Sequence, residues 1–468
     1  MSQLSADCLN EIFEYLDEEV TFNSCLLVNS IWCEISVRIL WKNIRNYKTL
    51  IACLPKESKE TLLKNKINIT STSTITKSPL FNYVMFIRSL SIYKIDSIIK
   101  NILQNYQSIT PQSLNHKKFI ITKEIYKLFM NKISLRELYF NSYKIIDIPN
   151  INFINYNGAK DCLRFLSKLS CRSDLYSEFF QQLSQICHNI QYLYITFERI
   201  ISNGLTDLIS SQKNLKHLYI MQSYDCEDLS DIIHSLSKLC PDNLIKFELY
   251  GGKHFIPLSF ISKFLNLQEL VLSFDYNYAI EGFKNLYNVK FNNLQILKFE
   301  YAYPKFELIK FLEKNGKNLR EFYIGNSDDT LNLAISNFCP NIRKFFTIFK
   351  NNELNSLKNI FINCKYLESI KIWCGDRYLN DKMVLDMVVN HSPRNFHELK
   401  LYYVINAQSE ITPQELEEFF INWNNRISRK SLSFIITKGS RAKSLEVQKE
   451  NMEIIEKYRM LGIIKKTL

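Results

Sequence analysis

A short alternation of apolar and polar positions, aliphatic-x-x-aliphatic-x-aliphatic, returns along most of this chain. It reads Ile190-Gln-Tyr-Leu193-Tyr-Ile195, Leu215-Lys-His-Leu218-Tyr-Ile220, Leu244-Ile-Lys-Phe247-Glu-Leu249, Leu267-Gln-Glu-Leu270-Val-Leu272 and Leu294-Gln-Ile-Leu297-Lys-Phe299. It continues as Leu319-Arg-Glu-Phe322-Tyr-Ile324, Ile342-Arg-Lys-Phe345, Leu367-Glu-Ser-Ile370-Lys-Ile372 and Phe396-His-Glu-Leu399-Lys-Leu401. The central positions, 193, 218, 247, 270, 297, 322, 345, 370 and 399, stand 23 to 29 residues apart. Each phrase is short and rich in Leu, Ile, Tyr and Phe, which predicts a strand. Between phrases the apolar spacing changes to three and four, as in residues 176–186, 229–236 and 354–361, which predicts helices. The repeating unit is strand, loop, helix, loop.

A period in the twenties with this phrase is the mark of a leucine-rich-repeat solenoid, an α/β fold with parallel strands on a concave face and helices on a convex one. Neither face can bury its apolar residues alone, so the units stack. Weaker phrases precede the array at Ile87-Arg-Ser-Leu90-Ser-Ile92, Leu135-Arg-Glu-Leu138-Tyr-Phe140 and Leu166-Ser-Lys-Leu169-Ser-Cys171. The step from 90 to 138 is too long for one repeat and predicts an insertion or an irregular unit. Several phrases are introduced by cysteine: Cys187-His-Asn-Ile190, Cys339-Pro-Asn-Ile342, Cys364-Lys-Tyr-Leu367 and, one residue longer, Cys240-Pro-Asp-Asn-Leu244. These predict a small buried residue at the helix-to-strand corner. The last clear strand phrase lies at 432–436. The basic, helical segment 441–468 is the natural cover for the final core layer.

The first forty residues differ in kind. Leu9, Ile12, Phe13 and Leu16 fall at i, i+3, i+4 and i+7 on one helix face, preceded by Ser5 and with Asp7 in the first turn. Cys25, Leu26, Val28 and Trp32, then Val37, Ile39, Leu40 and Trp41, mark two further helical groups. Three short helices make a very small core, which a partner usually completes. From 46 to 85 the pattern weakens into a Ser/Thr/Pro stretch and predicts a linker. The expected organisation is an N-terminal module over 1–45, a linker over 46–85, a solenoid over 86–440 and a cap over 441–468.

Composition narrows the chemistry. The 468 residues are 46% hydrophobic and 23% charged, which excludes wholesale disorder. No apolar run approaches the length of a membrane span, and the N-terminus has no leader pattern, so a cytoplasmic or nuclear protein is expected. The 12 cysteines include no C-x-x-C pair, so no metal site is expected. The net charge of +12 is spread along the chain without an arginine-rich run, so nucleic acid is not the expected partner. No phosphate-binding loop, dinucleotide fingerprint, nucleophile elbow or H-E-x-x-H motif occurs. Neither a cofactor nor an intrinsic catalytic activity is expected.

The run Leu4-Ser-Ala-Asp-Cys-Leu-Asn-Glu-Ile-Phe-Glu-Tyr-Leu16, followed by Cys25-Leu-Leu-Val-Asn-Ser-Ile-Trp32 and Ile39-Leu-Trp-Lys-Asn-Ile44, resembles an F-box. Leu4, Leu9, Ile12, Leu16, Val28, Trp32, Leu40 and Trp41 match its hydrophobic pattern. The proline usual after the first leucine is replaced by Ser5, which can cap the helix instead. With the repeats behind it, the chain resembles the F-box/leucine-rich-repeat class. That resemblance implies a substrate receptor of a cullin-RING ubiquitin ligase, docked through a Skp-type adaptor to cullin and RING subunits and holding a protein substrate near activated ubiquitin. It implies adaptor binding by Leu4, Ser5, Leu9, Ile12, Leu16, Leu40 and Trp41. The competing assignment makes Leu9, Ile12 and Leu16 the module's own core, and Trp32 is assigned to that core.

Strand alternation predicts the substrate face. If Leu193, Ile195 and their counterparts point inward, Tyr192, Tyr194, His217, Tyr219, Glu248, Tyr250 and Lys298 point to the concave surface. So do Glu300, Tyr323, Lys371, Trp373, Lys400 and Tyr402. Aromatics mixed with both signs of charge are favoured in protein interfaces, although Tyr and Trp are also common in strands that bind nothing. An interaction scaffold without any link to ubiquitin is the alternative function, with residues 1–45 as a simple N-terminal cap.

Overall fold

A computed structural model of the chain describes residues 4–16, 19–67, 79–103, 110–140, 153–226, 229, 232–234, 236, 243–251, 257–274, 282–301, 303–326, 328–375, 377–426 and 430–466. It divides into two compact units, Met1–Lys216 and His217–Leu468.

The first unit begins with α1 (Ala6–Glu14), α2 (Glu19–Cys25) and α3 (Ser30–Leu40). Ser5 starts α1 as its sequence suggested, its Oγ accepting from the Cys8 amide at 3.2 Å, and Asn29 starts α3 by accepting from the Trp32 amide at 3.0 Å. Leu9 and Phe13 turn inward onto Phe22, Cys25, Ile35, Val37 and Leu40. Two further helices, α4 (Tyr47–Ala52) and α5 (Lys56–Lys64), occupy part of the stretch expected as a linker. The cause is visible in the spacing: Leu50 and Leu54 stand one turn apart and are buried, as are Leu62 and Ile67. The Ser/Thr-rich segment that suggested a linker lies outside the described residues.

Four strands follow in this unit: β1 (Ser89–Ser91), β2 (Glu137–Tyr139), β3 (Lys168–Arg172) and β4 (Tyr192–Phe197). They pair in chain order, all parallel, with Leu90 opposite Leu138, Leu138 opposite Leu169 and Leu169 opposite Leu193. These are the central positions of the sequence phrases. The long step between β1 and β2 is filled by α6 (Ile92–Leu103) and the 22-residue α7 (Pro111–Lys132). The module is joined to the sheet by backbone. Arg88 and Ser89 both donate to the Lys42 carbonyl, as Arg136 and Glu137 donate to Arg88 and Ser167 and Lys168 to Arg136. Lys42 thus stands one repeat before β1.

The second unit carries β5 (His217–Gln222), β6 (Lys246–Gly251), β7 (Glu269–Phe274), β8 (Ile296–Phe299) and β9 (Glu321–Ile324). It continues through β10 (Lys344–Phe346), β11 (Ser369–Cys374), β12 (Glu398–Tyr403), β13 (Leu432–Lys438) and β14 (Ile464–Lys466). Again every neighbouring pair is parallel and in chain order. Leu218, Phe247, Leu270, Leu297, Phe322, Phe345, Ile370, Leu399 and Phe434 form one row across it. The row is buried, and it packs with the crossover helices through pairs such as Phe419–Phe434 and, in the row one step along, Phe283–Phe299. The chain is an α/β leucine-rich-repeat solenoid.

The corners repeat as well. Cys187, Cys339 and Cys364 follow the helices Ser177–Ile186, Asp329–Phe338 and Leu354–Asn363, and all three are buried. The Cys187 and Cys364 thiols donate to the carbonyls of Leu163 and Cys339, one repeat back. Where the corner residue is Gln212 or Asn315, an amide makes the bridge instead, to the Cys187 carbonyl at 2.7 Å and the Val289 carbonyl at 2.9 Å. Cys240 lies outside the described residues, as do parts of the helix expected at 229–236. At the C-terminal end the helix Lys449–Met460 covers the last layer, with Tyr458 stacked 5.0 Å from Phe420.

Candidate functional site

Two surfaces carry the sequence-predicted residues. On the N-terminal module, α1 separates them into two faces. Leu9 (4% exposed) belongs to the core, while Leu4, Ser5, Cys8, Ile12 (48%) and Tyr15 are exposed beside it, Leu4, Cys8, Ile12 and Tyr15 following one another at four, four and three residues. Leu16 is half-buried against the core. Leu40 and Trp41 (8% exposed) are core residues, so the assignment of Leu9, Leu40 and Trp41 to an exposed docking face is corrected: they hold the module together. The physical reason lies beyond the module. Phe81, Tyr83 and Phe86 pack onto its core, and the Tyr83 ring sits 4.6 Å from the Trp41 ring. Trp32 rests 5.0 Å from Phe13, edge to face, in agreement with its core assignment. Val28, which matches the motif, is open to solvent, and so are three apolar side chains that the motif did not single out, Val20, Leu27 (87%) and Ile31.

The second surface is the strand face turned away from the helices. Tyr192 and Tyr194 on β4 are half-exposed, alternating with buried Leu193 and Ile195. In the second unit His217, Tyr219, Glu248, Tyr250, Lys298, Tyr323, Lys371, Trp373, Lys400 and Tyr402 are likewise half-exposed, and Glu300, just past β8, is exposed. Every predicted member therefore reaches this face. The register brings them into rows, with Glu248, Val271, Lys298, Tyr323, Phe346, Lys371 and Lys400 successive neighbours.

Sequence reasoning missed the row one step earlier, Lys246, Glu269, Glu321, Lys344 and Glu398, although the same parity points them outward. This row is an ion-pair ladder. Glu269 takes Lys246 at 3.3 Å and Lys298 at 2.8 Å; Glu321 takes Lys344 at 2.8 Å; Glu398 takes Lys400 at 2.9 Å. Burial pushes the Glu269 carboxyl upward, but Lys298 and Lys246 outweigh it and hold it below the ordinary range. Glu398 is held down in the same way by Lys400 and Ser369 against its burial. Burial and the adjoining Glu321 push the Tyr323 phenol upward, and its hydroxyl donates to that carboxylate at 3.2 Å. Aromatic rings lie between the charges: Tyr219 and Tyr250 are 5.0 Å apart, Trp373 and Tyr402 5.2 Å apart.

Against known proteins, no family model and no curated protein matches the chain. Among solved structures it is similar to the crystal structure of the Rad7 and Elc1 complex in yeast, with 14% sequence identity, a TM-score of 0.42, and coverage of 80% of this chain and 85% of that one. Among the described residues no helix is long and apolar enough to cross a membrane, and no cluster of His, Cys, Asp or Glu could hold a metal ion.

Proposed function

We propose that the chain is the substrate-binding subunit of a cullin-RING ubiquitin ligase. The N-terminal module docks a Skp-type adaptor through Leu4, Ser5, Ile12 and Leu16, joined by Leu27 and Ile31, and the strand face grips a protein substrate. The observation that carries this reading is an F-box-like helical module with solvent-facing apolar side chains, tied by backbone to the first strand of a repeat array. Large apolar residues held in water on a small module mark a surface that another protein covers.

The mechanism is proximity. Tethering a bound substrate to the transfer machinery through one chain replaces a dilute encounter with an intramolecular one. No nucleophile is needed from this chain, and the cytoplasm or nucleus is where it would act.

One observation favours the scaffold reading instead. Phe81, Tyr83 and Phe86 seal Trp41 from the chain's own side, as they would if the module served only to cap the array. Capture of purified full-length chain on an immobilised Skp-type adaptor separates the two. The ligase reading expects a complex that Ile12→Asp with Leu27→Asp abolishes; no capture of the wild type with adaptor in excess leaves the scaffold.

A further inference from the structure

On the strand face of the second unit the lysines are matched by carboxylates except at one place. Of the strand lysines from β6 to β12, Lys246, Lys298, Lys344 and Lys400 each hold a glutamate within ion-pair distance. Lys371 on β11 has no carboxylate so near it among the described residues. Its ammonium lies instead over two rings, 4.8 Å from the Phe346 centroid and 5.4 Å from that of Tyr402. Burial and the neighbouring Lys400 charge lower its pKa, so a cation is being held here without its counter-charge.

Two residues on, and therefore on the same face, stands Trp373. Phe346, Tyr378 and Tyr402 surround its indole at 6.3, 5.6 and 5.2 Å. Its Nε1–H is shut off from solvent and donates to nothing. An indole donor left unpaired in the interior is destabilising, and buried polar groups are otherwise almost always satisfied. A lone cation and an idle donor, side by side on an aromatic floor, ask for the same thing: an anionic acceptor with two oxygens.

We infer that Lys371 and Trp373 form the specificity pocket of the strand face, taking the carboxylate of an aspartate or glutamate in an extended segment of the protein substrate. One carboxylate oxygen meets the Lys371 ammonium. The other accepts from Trp373 Nε1 once the side chains that shut the indole edge from solvent shift aside. Phe346 and Tyr402 receive the apolar part of the segment beside the acid. Charge complementarity selects this occupant: a basic segment would meet Lys371 and Lys400, and a neutral one would leave Lys371 unpaired. The inference rests on the reading of the strand face as the substrate surface and names the substrate chemistry that face selects.

The test uses fluorescein-labelled ten-residue peptide pools, random except for a central Glu, Gln or Lys, titrated into the full-length chain by fluorescence polarisation. The Glu pool should bind about tenfold more tightly than the Gln pool, the size expected of a charge-assisted pair, and the Lys pool should be weakest. Lys371→Met should erase the Glu preference. Trp373→Phe keeps the ring and removes the N–H, and should weaken the Glu pool while leaving the Gln pool unchanged; its near-ultraviolet circular dichroism and melting temperature check that the fold is kept. Equal binding of Glu and Gln pools, a Glu preference that survives Lys371→Met, or no binding by any pool overturns the inference. Adaptor capture measured on the same preparations keeps the two readings apart. Capture without Glu preference sinks the pocket alone, and Glu preference without capture sinks the ligase reading alone.

Discussion

Ile12→Asp combined with Leu27→Asp tests the N-terminal module at its exposed side rather than its core. Leu27 is 87% exposed, so nearly its whole side chain is left to be covered by a partner, contributing about 2 kcal/mol. Ile12 is 48% exposed and has half its surface left, contributing about 1 kcal/mol. Loss of both amounts to about 3 kcal/mol, or more than a hundredfold in Kd, and the desolvation of two introduced carboxylates adds to it. Because neither residue is buried in the free chain, unfolding free energy should change by no more than about 1 kcal/mol, most of it the poor helix propensity of aspartate at position 12. Biolayer interferometry against immobilised Skp-type adaptor gives the first quantity and denaturant melting the second. A double variant that melts like the wild type and binds within about threefold of it would falsify the docking face, since a surface worth 3 kcal/mol cannot be charged without effect.

Other perturbations read the same structure. Phe13→Ala removes a fully buried ring that touches Phe22 and Trp32, and should cost about 3–5 kcal/mol, seen as loss of hydrogen-exchange protection across residues 5–41; retained protection would contradict the core assignment. Glu269 has a folded pKa below its unfolded value, so its stabilisation is complete above the ordinary carboxylate pKa and is lost as pH falls through the depressed value. Glu269→Gln should therefore cost about 1 kcal/mol at pH 7 and bring a flatter stability profile between pH 5 and pH 3; an unchanged acid limb would refute the ladder's role. Burial pushes the Cys187 and Cys364 thiols up to about 12, so iodoacetamide at pH 8 should label the exposed Cys8 and spare both corners in peptide mapping.

The array was legible because its pattern is redundant. One phrase recurring at least nine times fixes the strand, its inward parity and its register, and the buried row from Leu218 to Phe434 follows those central positions. Alternation likewise placed Tyr192, Lys371 and Trp373 on the open face. The ion-pair row through Glu269 and Glu398 has the same parity and could have been read with them. The module was harder. Helical spacing shows that Leu9, Ile12 and Leu16 share a side of α1, within about 60° of one another, but only packing turns Leu9 inward and leaves Ile12 in water. Trp41 was misread because its partner Tyr83 lies 42 residues along, in a stretch whose pattern looked too weak to pack. Nor could spacing show that Lys42 lends its carbonyl to the first strand, because backbone pairing leaves no trace in residue type.

Size-exclusion chromatography with light scattering on the full-length chain, mixed at micromolar concentration with a Skp-type adaptor bound to cullin, addresses the central claim most directly. The account predicts one co-eluting peak whose mass contains the chain, the adaptor and the cullin together. Separate elution of the chain at its own 55.4 kDa, with adaptor and cullin running together without it, would contradict the account.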